Sequence, residues 1–160
     1  MLKASWKLTM VVCLVAGLVG ASPAQASDAG LRKIVKRHEG RVVPLAKKFS
    51  AADKALVNAP DTSAASAADQ ALRVGLRKFK NAVVPIKTQT ANAKLAKKTL
   101  LKALREYDLG LVEYQTLLDK VNAGMSKDSL RQSFVTLNKR LQAAAKNESK
   151  ALKLLNVRVG

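Results

Sequence analysis

The feature that most restricts the fold of this chain is a mainly apolar stripe that advances in alternating steps of three and four residues. Its longest run extends from Leu72 to Val121 without a slip. Such steps place side chains on one face of an α-helix, and their repetition over several heptads is typical of helices that pack lengthwise. Dipeptides that form tight hairpins, such as Asn-Gly, do not occur in the sequence. The pattern therefore predicts an all-α protein.

The ends of the stripes coincide with residues that terminate or begin helices. Pro60 cannot continue a helix, Gly124 tolerates the left-handed conformation found after helix ends, and Ser126 offers a hydroxyl that can cap the following helix. We therefore predict three helices, at residues 28–58, 64–121 and 127–156.

The middle predicted helix has a weak region between Pro85 and Asn92. Pro85 lacks an N–H group and clashes with the preceding turn, and the residues that follow it are mediocre helix formers. Because the stripe passes through this region without a slip, the favoured prediction is an elongated antiparallel bundle of three long helices, the middle one kinked near Pro85. A compact four-helix bundle, in which the chain breaks there, is the alternative.

Two pairs of residues within the predicted helices carry expectations about packing. Gly75 and Gly110 occupy the same heptad position, which predicts a close approach of a neighbouring helix at each. Lys97 and Glu148 interrupt otherwise apolar stripes, and we expect them to pair with each other across helices.

Residues 1–26 have the three parts of a cleavable secretory signal peptide. Lys3 and Lys7 supply the positive start, and the uncharged apolar run from Leu8 to Ala21 follows. This run is about 14 residues long, whereas a membrane-spanning helix needs about 20. Small residues then precede the predicted cleavage site between Ala26 and Ser27. We predict an exported bacterial protein, secreted or held in the extracytoplasmic envelope.

The predicted mature domain, residues 27–160, is strongly basic. The chain has 29 Lys and Arg against 11 Asp and Glu, and loss of Lys3 and Lys7 leaves 27 against 11, a net charge of +16. Solubility of a small domain needs a net charge of only about 2 to 8. The excess predicts a surface that attracts polyanions. The candidate binding residues are Arg32, Lys33, Lys36, Arg37, Arg41, Lys47, Lys48, Arg73, Arg77, Lys78, Lys80, Lys94 and Lys98.

The expected partner is an anionic envelope polymer, an anionic lipid surface or another polyanion. Lysine and arginine side chains would displace counterions from such a partner, so binding should weaken steeply as salt rises. The sequence contains no helix-turn-helix or zinc module, and we therefore expect no sequence-specific recognition of nucleic acid.

The mature sequence offers little for catalysis. His38 is its only histidine and lies on the apolar stripe, which predicts a buried or half-buried structural role, with a pH-sensitive residue at the helix seam as the alternative. Cys13 belongs to the predicted signal peptide. A Cys-His set is therefore excluded, a Ser-His-Asp set would have to use His38 on the buried stripe, and one imidazole cannot form a metal site alone.

The nearest approach to a carboxylate cluster is Glu106, Asp108, Glu113 and Asp119, and these side chains are expected to pair with basic neighbours. We expect a protein that is not an enzyme and needs no cofactor or metal.

The main functional prediction is thus an exported helical protein that binds an anionic partner through basic helix faces. Two alternatives remain at this point. One is an extracytoplasmic chaperone that shields unfolded proteins in a basic helical cradle. The other is a structural homo-oligomer, because long heptad seams favour self-association.

Overall fold

The computed structural model describes residues 28–56, 61–126 and 128–157. These residues form an all-α structure without strands, as the apolar stripe predicts. The predicted signal peptide lies outside the described residues and stays a prediction. The helices of the described part are α1 (Ala29–Ala55), α2 (Ser63–Val83), α3 (Ala91–Asn122) and α4 (Arg131–Leu155).

The prediction of one long kinked helix over 64–121 is wrong, and the alternative of four helices is confirmed. The chain leaves the helix after Val83 and re-enters it at Ala91. Pro85 has no N–H group with which to extend α2. Thr90 then begins α3 as its N-cap, because its backbone is extended and its Oγ1 accepts a hydrogen bond from the N–H of Ala93 at 3.2 Å.

The connection between α2 and α3, residues 84–90, is held on two sides by side chains from elsewhere in the chain. The carboxylate of Asp28 accepts hydrogen bonds from the N–H groups of Gln89 and Thr90 at 2.8 and 3.2 Å. Its Oδ2 also accepts one from the Thr90 hydroxyl at 2.5 Å. Lys97 donates from Nζ to the carbonyl oxygens of Val84 and Ile86, at 2.7 and 2.6 Å. These side chains therefore satisfy four of the backbone polar groups that the helix break frees.

The four helices run alternately up and down. α1 packs on α2, α2 on α3, and α3 on α4, whereas the backbones of α1 and α4 are more widely spaced. The diagonal pair, α1 and α3, meets in the core, where the rings of Phe49 and Tyr114 lie edge to face with centroids 4.9 Å apart. Because α1 and α3 are diagonal, their outer faces point to opposite sides of the bundle.

The predicted role of the two helical glycines is confirmed. A Cβ atom on Gly75 would lie 2.7 Å from Cδ1 of Leu45 on α1, and one on Gly110 would lie 2.7 Å from Cδ2 of Leu141 on α4. Each glycine thus lets a leucine of the neighbouring helix approach its backbone. Gly124 also follows the prediction, since it closes the end of α3 with a φ of +89°.

Two expectations about side chains are wrong. Lys97 does not pair with Glu148, because its ammonium group binds the carbonyls of the α2–α3 connection while Glu148 accepts from the hydroxyl of Tyr107 at 2.8 Å. Ser126 does not cap α4, whose first residue is Arg131. Its Oγ instead accepts from the N–H of Ser129 at 3.2 Å, in the turn that precedes the helix.

Candidate anion-binding surface

The described structure leaves most of the predicted anion-binding residues exposed. Only Arg32 and Arg73 are half-buried. The other eleven lie at the surface of α1, α2 and α3, namely Lys33, Lys36, Arg37, Arg41, Lys47, Lys48, Arg77, Lys78, Lys80, Lys94 and Lys98.

Two of the predicted residues are engaged by a carboxylate of their own chain. Nε of Arg77 lies 3.2 Å from Oδ1 of Asp108, and Nε of Arg73 lies 3.8 Å from the same oxygen. Oε2 of Glu113 likewise lies 3.7 Å from Nε of Arg140. These contacts confirm the expectation for Asp108 and Glu113, and they make Arg73 and Arg77 weaker candidates for an external anion.

The expectation of pairing with basic neighbours is wrong for Glu106 and Asp119, which form no ion pair among the described residues. Oδ1 of Asp119 instead accepts from Nε2 of Gln115 at 2.9 Å.

The remaining cations do not form one surface, and two of them, Lys78 and Lys80, lie on α2, which packs on both α1 and α3. Because α1 and α3 are diagonal in the bundle, the α1 cations and the α3 cations face opposite directions. We call them the α1 face (Lys33, Lys36, Arg37, Arg41, Lys47 and Lys48) and the α3 face, defined below. Sequence clustering alone could not show this separation, since it reports distance along the chain and not position around the bundle.

The α3 face contains more cations, and more exposed apolar side chains, than the sequence analysis predicted. Besides Lys94 and Lys98, it contains Lys102 and Arg105, both exposed. It also contains three exposed apolar residues, Leu95 at 45%, Leu109 at 42% and Val112 at 42% relative exposure. At 100° per residue, these side chains fall within an arc of about 100° around the helix. The α3 face is therefore Lys94, Leu95, Lys98, Lys102, Arg105, Leu109 and Val112.

The sequence did contain the signal for the residues that were missed. Lys102 and Arg105 follow Lys94 and Lys98 at helical spacing, on the side of α3 opposite to Leu100 and Leu104. The exposed leucines and valine are off the apolar stripe, and their position on the outer arc becomes significant once the stripe is known to be buried.

The positive character of the surface is increased because several acids are buried. Four of them are buried, namely Asp28, Glu39, Asp53 and Asp69. The structure thus removes part of the small complement of carboxylates from the surface and leaves nearly all the described lysines there. The surface that an approaching anion meets therefore carries a larger excess of positive over negative charge than the composition indicates.

One buried group joins α1, α3 and α4. The Glu39 carboxyl on α1 is hydrogen-bonded to the Glu148 carboxyl on α4, which also accepts from the hydroxyl of Tyr107 on α3. Burial, reinforced by the charge of Glu148, raises the pKa of Glu39 to about 9. Burial also raises the pKa of Glu148. Glu39 is therefore protonated at neutral pH and donates the proton that the pair requires.

Two buried aspartates lie nearer the other end of the bundle. Burial raises the pKa of Asp53 to about 6, although its Oδ1 accepts a hydrogen bond from the Tyr114 hydroxyl at 2.8 Å. Burial raises the pKa of Asp69 to about 7, against the opposing effect of Arg73. Neither carboxylate oxygen of Asp69 has a hydrogen-bond partner among the described residues. A buried carboxylate without hydrogen bonds destabilises the folded protein, so the neutral form of Asp69 is favoured.

The expectation of a structural role for His38 is supported by its surroundings. Its imidazole is buried and stacks on Phe79 with ring centroids 5.2 Å apart. Burial lowers the pKa of His38, and the positive charges of Arg41 and Arg37 lower it further. The imidazole is therefore neutral at physiological pH.

Within the described ranges, no group of three or more His, Cys, Asp or Glu side chains is placed to hold a metal ion. No helix of the same ranges is both long and apolar enough to cross a bilayer. Comparison with protein-family models, with curated proteins and with solved structures found no match for this chain.

Proposed function

We propose that this is an exported, non-enzymatic four-helix protein that binds an anionic partner through exposed lysines and arginines. The observation that supports the proposal most is the unequal distribution of charge between interior and surface. Four carboxyl groups are buried, while eleven of the thirteen candidate cations are exposed. A solvated helix face needs no such excess of one sign.

Binding would be electrostatic and would release counterions. Each lysine or arginine that approaches an anionic surface displaces small ions from it, so affinity should depend steeply on salt. The screening length of about 10 Å at 0.1 M salt means that the two opposite faces act almost independently under such conditions. One face can therefore bind a surface while the other remains in solvent.

The stripes that predict self-association from sequence are buried within the single chain. Leu72, Leu76, Leu111 and Leu141 are all at most 3% exposed. An oligomer would therefore have to form through a surface other than these apolar stripes. Binding of an anionic partner does not require an oligomer.

The test is retention of residues 27–160 on immobilised heparin and on anionic and neutral vesicles over a salt series. We expect retention on heparin at low salt that is lost as salt rises, and no retention on neutral vesicles. Absence of retention on both anionic materials at low salt would contradict the proposal. Binding that is insensitive to salt would contradict the electrostatic mechanism.

A further inference from the structure

The two basic faces differ in their apolar content. On α1, Ile34, Val43 and Leu45 are half-buried, and the ring of Pro44 is the one exposed apolar side chain larger than alanine in the described structure. On the α3 face, Leu95, Leu109 and Val112 are each more than 40% exposed and share the same arc of the helix with four cations. The α1 face therefore offers charge with little apolar surface beside it, whereas the α3 face offers charge and the contact of three large apolar side chains together.

Carboxylates are withdrawn from the α3 face. Asp108 turns toward Arg73 and Arg77 of α2, and Glu113, at the edge of the arc, pairs with Arg140 of α4. Glu106 lies at the margin and is half-buried. From Lys94 to Val112 the exposed side of the helix, about 27 Å long, therefore presents cations and apolar groups without an exposed carboxylate.

We infer that the α3 face docks onto an anionic lipid bilayer, with α3 lying along the membrane surface. This inference rests on the proposed function and names its partner. A helix that lies in the interface needs lysines and arginines to meet anionic headgroups and leucine or valine side chains to enter the acyl boundary. A soluble polyanion would be recognised by charge alone and would gain nothing from exposed Leu109 or Val112.

The long stems of the four cations fit this arrangement. Lysine and arginine can lay their methylene groups along apolar surface while the charged end reaches the headgroups. The bundle beneath α3 keeps the helix folded before binding, because its opposite side is fixed by Leu100, Leu104 and Leu111 in the core. Docking therefore requires no folding step, which avoids the entropy cost of ordering a helix at the membrane.

A single tryptophan can report whether α3 enters the interface, because the only tryptophan of the chain, Trp6, belongs to the predicted signal peptide. We would place tryptophan by Leu109→Trp on the α3 face and by Val135→Trp on α4. The two sites are matched, at 42% and 40% exposure. With vesicles of phosphatidylglycerol and phosphatidylcholine, we expect a blue-shifted emission and quenching by brominated acyl chains for Leu109→Trp, and neither for Val135→Trp.

A second variant separates apolar contact from charge. The triple change Leu95→Ser, Leu109→Ser and Val112→Ser leaves every cation in place, and circular dichroism would confirm that the exposed substitutions preserve the fold. We expect it to weaken binding to the anionic vesicles by about tenfold or more and to leave elution from heparin unchanged.

The outcomes separate this inference from the proposed function. Salt-sensitive retention on heparin without binding to anionic vesicles would overturn the bilayer inference and assign a soluble polyanion instead. Equal spectral shifts at positions 109 and 135, or unchanged vesicle affinity of the triple variant, would also overturn it. Failure to bind either heparin or anionic vesicles would contradict the proposed function itself.

Discussion

Replacing Asp69 with Asn is expected to raise the free energy of unfolding by about 4 kcal/mol at pH 8 and to change it little at pH 4. The pKa of this carboxyl is raised from 3.8 to about 7 in the folded protein. Each pKa unit corresponds to about 1.4 kcal/mol of difference between the two protonation states. Because Asn resembles the protonated acid in shape and carries no charge, the variant avoids the buried carboxylate without opening a cavity.

The direction in which stability changes with pH follows from the difference in proton binding between the native and unfolded states. Between about pH 4 and pH 7 the native state holds a proton on Asp69 that the unfolded state has lost, so stability falls as pH rises. Asp53 and Glu39, with pKa values of about 6 and about 9, act in the same direction. We therefore expect the wild-type protein to become less stable from about pH 4 toward pH 9, with a smaller slope in the Asp69→Asn variant.

Urea unfolding followed by circular dichroism at several pH values measures this effect. Asp61 is the control, because it is exposed and its pKa is lowered by hydrogen bonds from the backbone and side chain of Ser63. Its contribution is present above the unfolded pKa and lost in acid, so Asp61→Asn should slightly destabilise the protein at pH 8. A destabilised Asp69→Asn variant at pH 8 would show that the buried carboxylate is stabilising after all.

The second large effect concerns Asp28, whose replacement by Ala should cost about 3 kcal/mol of folding stability at neutral pH. Its carboxylate accepts three hydrogen bonds from Gln89 and Thr90, and it is only 3% exposed. Hydrogen bonds to charged groups contribute about 1.5–3 kcal/mol each, and the loss is partly offset by water entering the vacated site. The predicted cleavage after Ala26 leaves Asp28 as the second residue of the mature chain.

Equilibrium unfolding and amide hydrogen exchange together test the role of Asp28. We expect faster exchange at Gln89 and Thr90 in the Asp28→Ala variant, because their N–H groups lose their acceptor. Asp128→Ala removes the same charge from an exposed position and should change stability by no more than about 0.5 kcal/mol. Unchanged stability and exchange in Asp28→Ala would mean that the α2–α3 connection holds its shape without this carboxylate.

Periodicity predicted the core well but misled about the path of the chain. Side chains at the predicted stripe positions, including Leu76, Phe79, Leu104 and Tyr114, are buried in the bundle. The stripe also keeps its phase across residues 84–90, because α2 and α3 both turn it toward the same core. A heptad pattern shows which side of a helix is buried, and it does not show whether the helix axis continues.

Other errors arose from contacts between residues far apart in sequence. Asp28, which lies more than fifty residues before Pro85, binds the connection that follows the break. Lys97, which was expected to pair with Glu148, donates to a carbonyl oxygen of the same connection. Asp69 could have been assigned to the core from sequence, because it precedes Leu72 by three residues and so extends the stripe. Its polarity alone argued against that position.

The candidate surface shows a similar division. Composition predicted the excess of positive charge. The clusters of basic residues in the sequence then predicted eleven cations that the structure leaves exposed, including Lys94 and Lys98. Their separation into an α1 face and an α3 face depends on the diagonal placement of those helices. The burial of Glu39 and Asp69, which makes the surface more positive, also depends on tertiary packing.

The most direct test of electrostatic binding through a defined face compares two variants of equal charge. One carries Gln at Lys94, Lys98, Lys102 and Arg105 of the α3 face. The other carries Gln at four exposed lysines of the α1 face, namely Lys33, Lys36, Lys47 and Lys48. Their affinities for anionic vesicles would be measured over the same salt series as the wild-type protein.

We expect the α3 variant to lose roughly 100-fold or more in affinity together with most of its salt dependence, because each cation near an anionic membrane contributes about 1 kcal/mol. The α1 variant should stay within a few-fold of the wild-type protein. Equal losses in both variants, or wild-type binding that does not change with salt, would contradict the account.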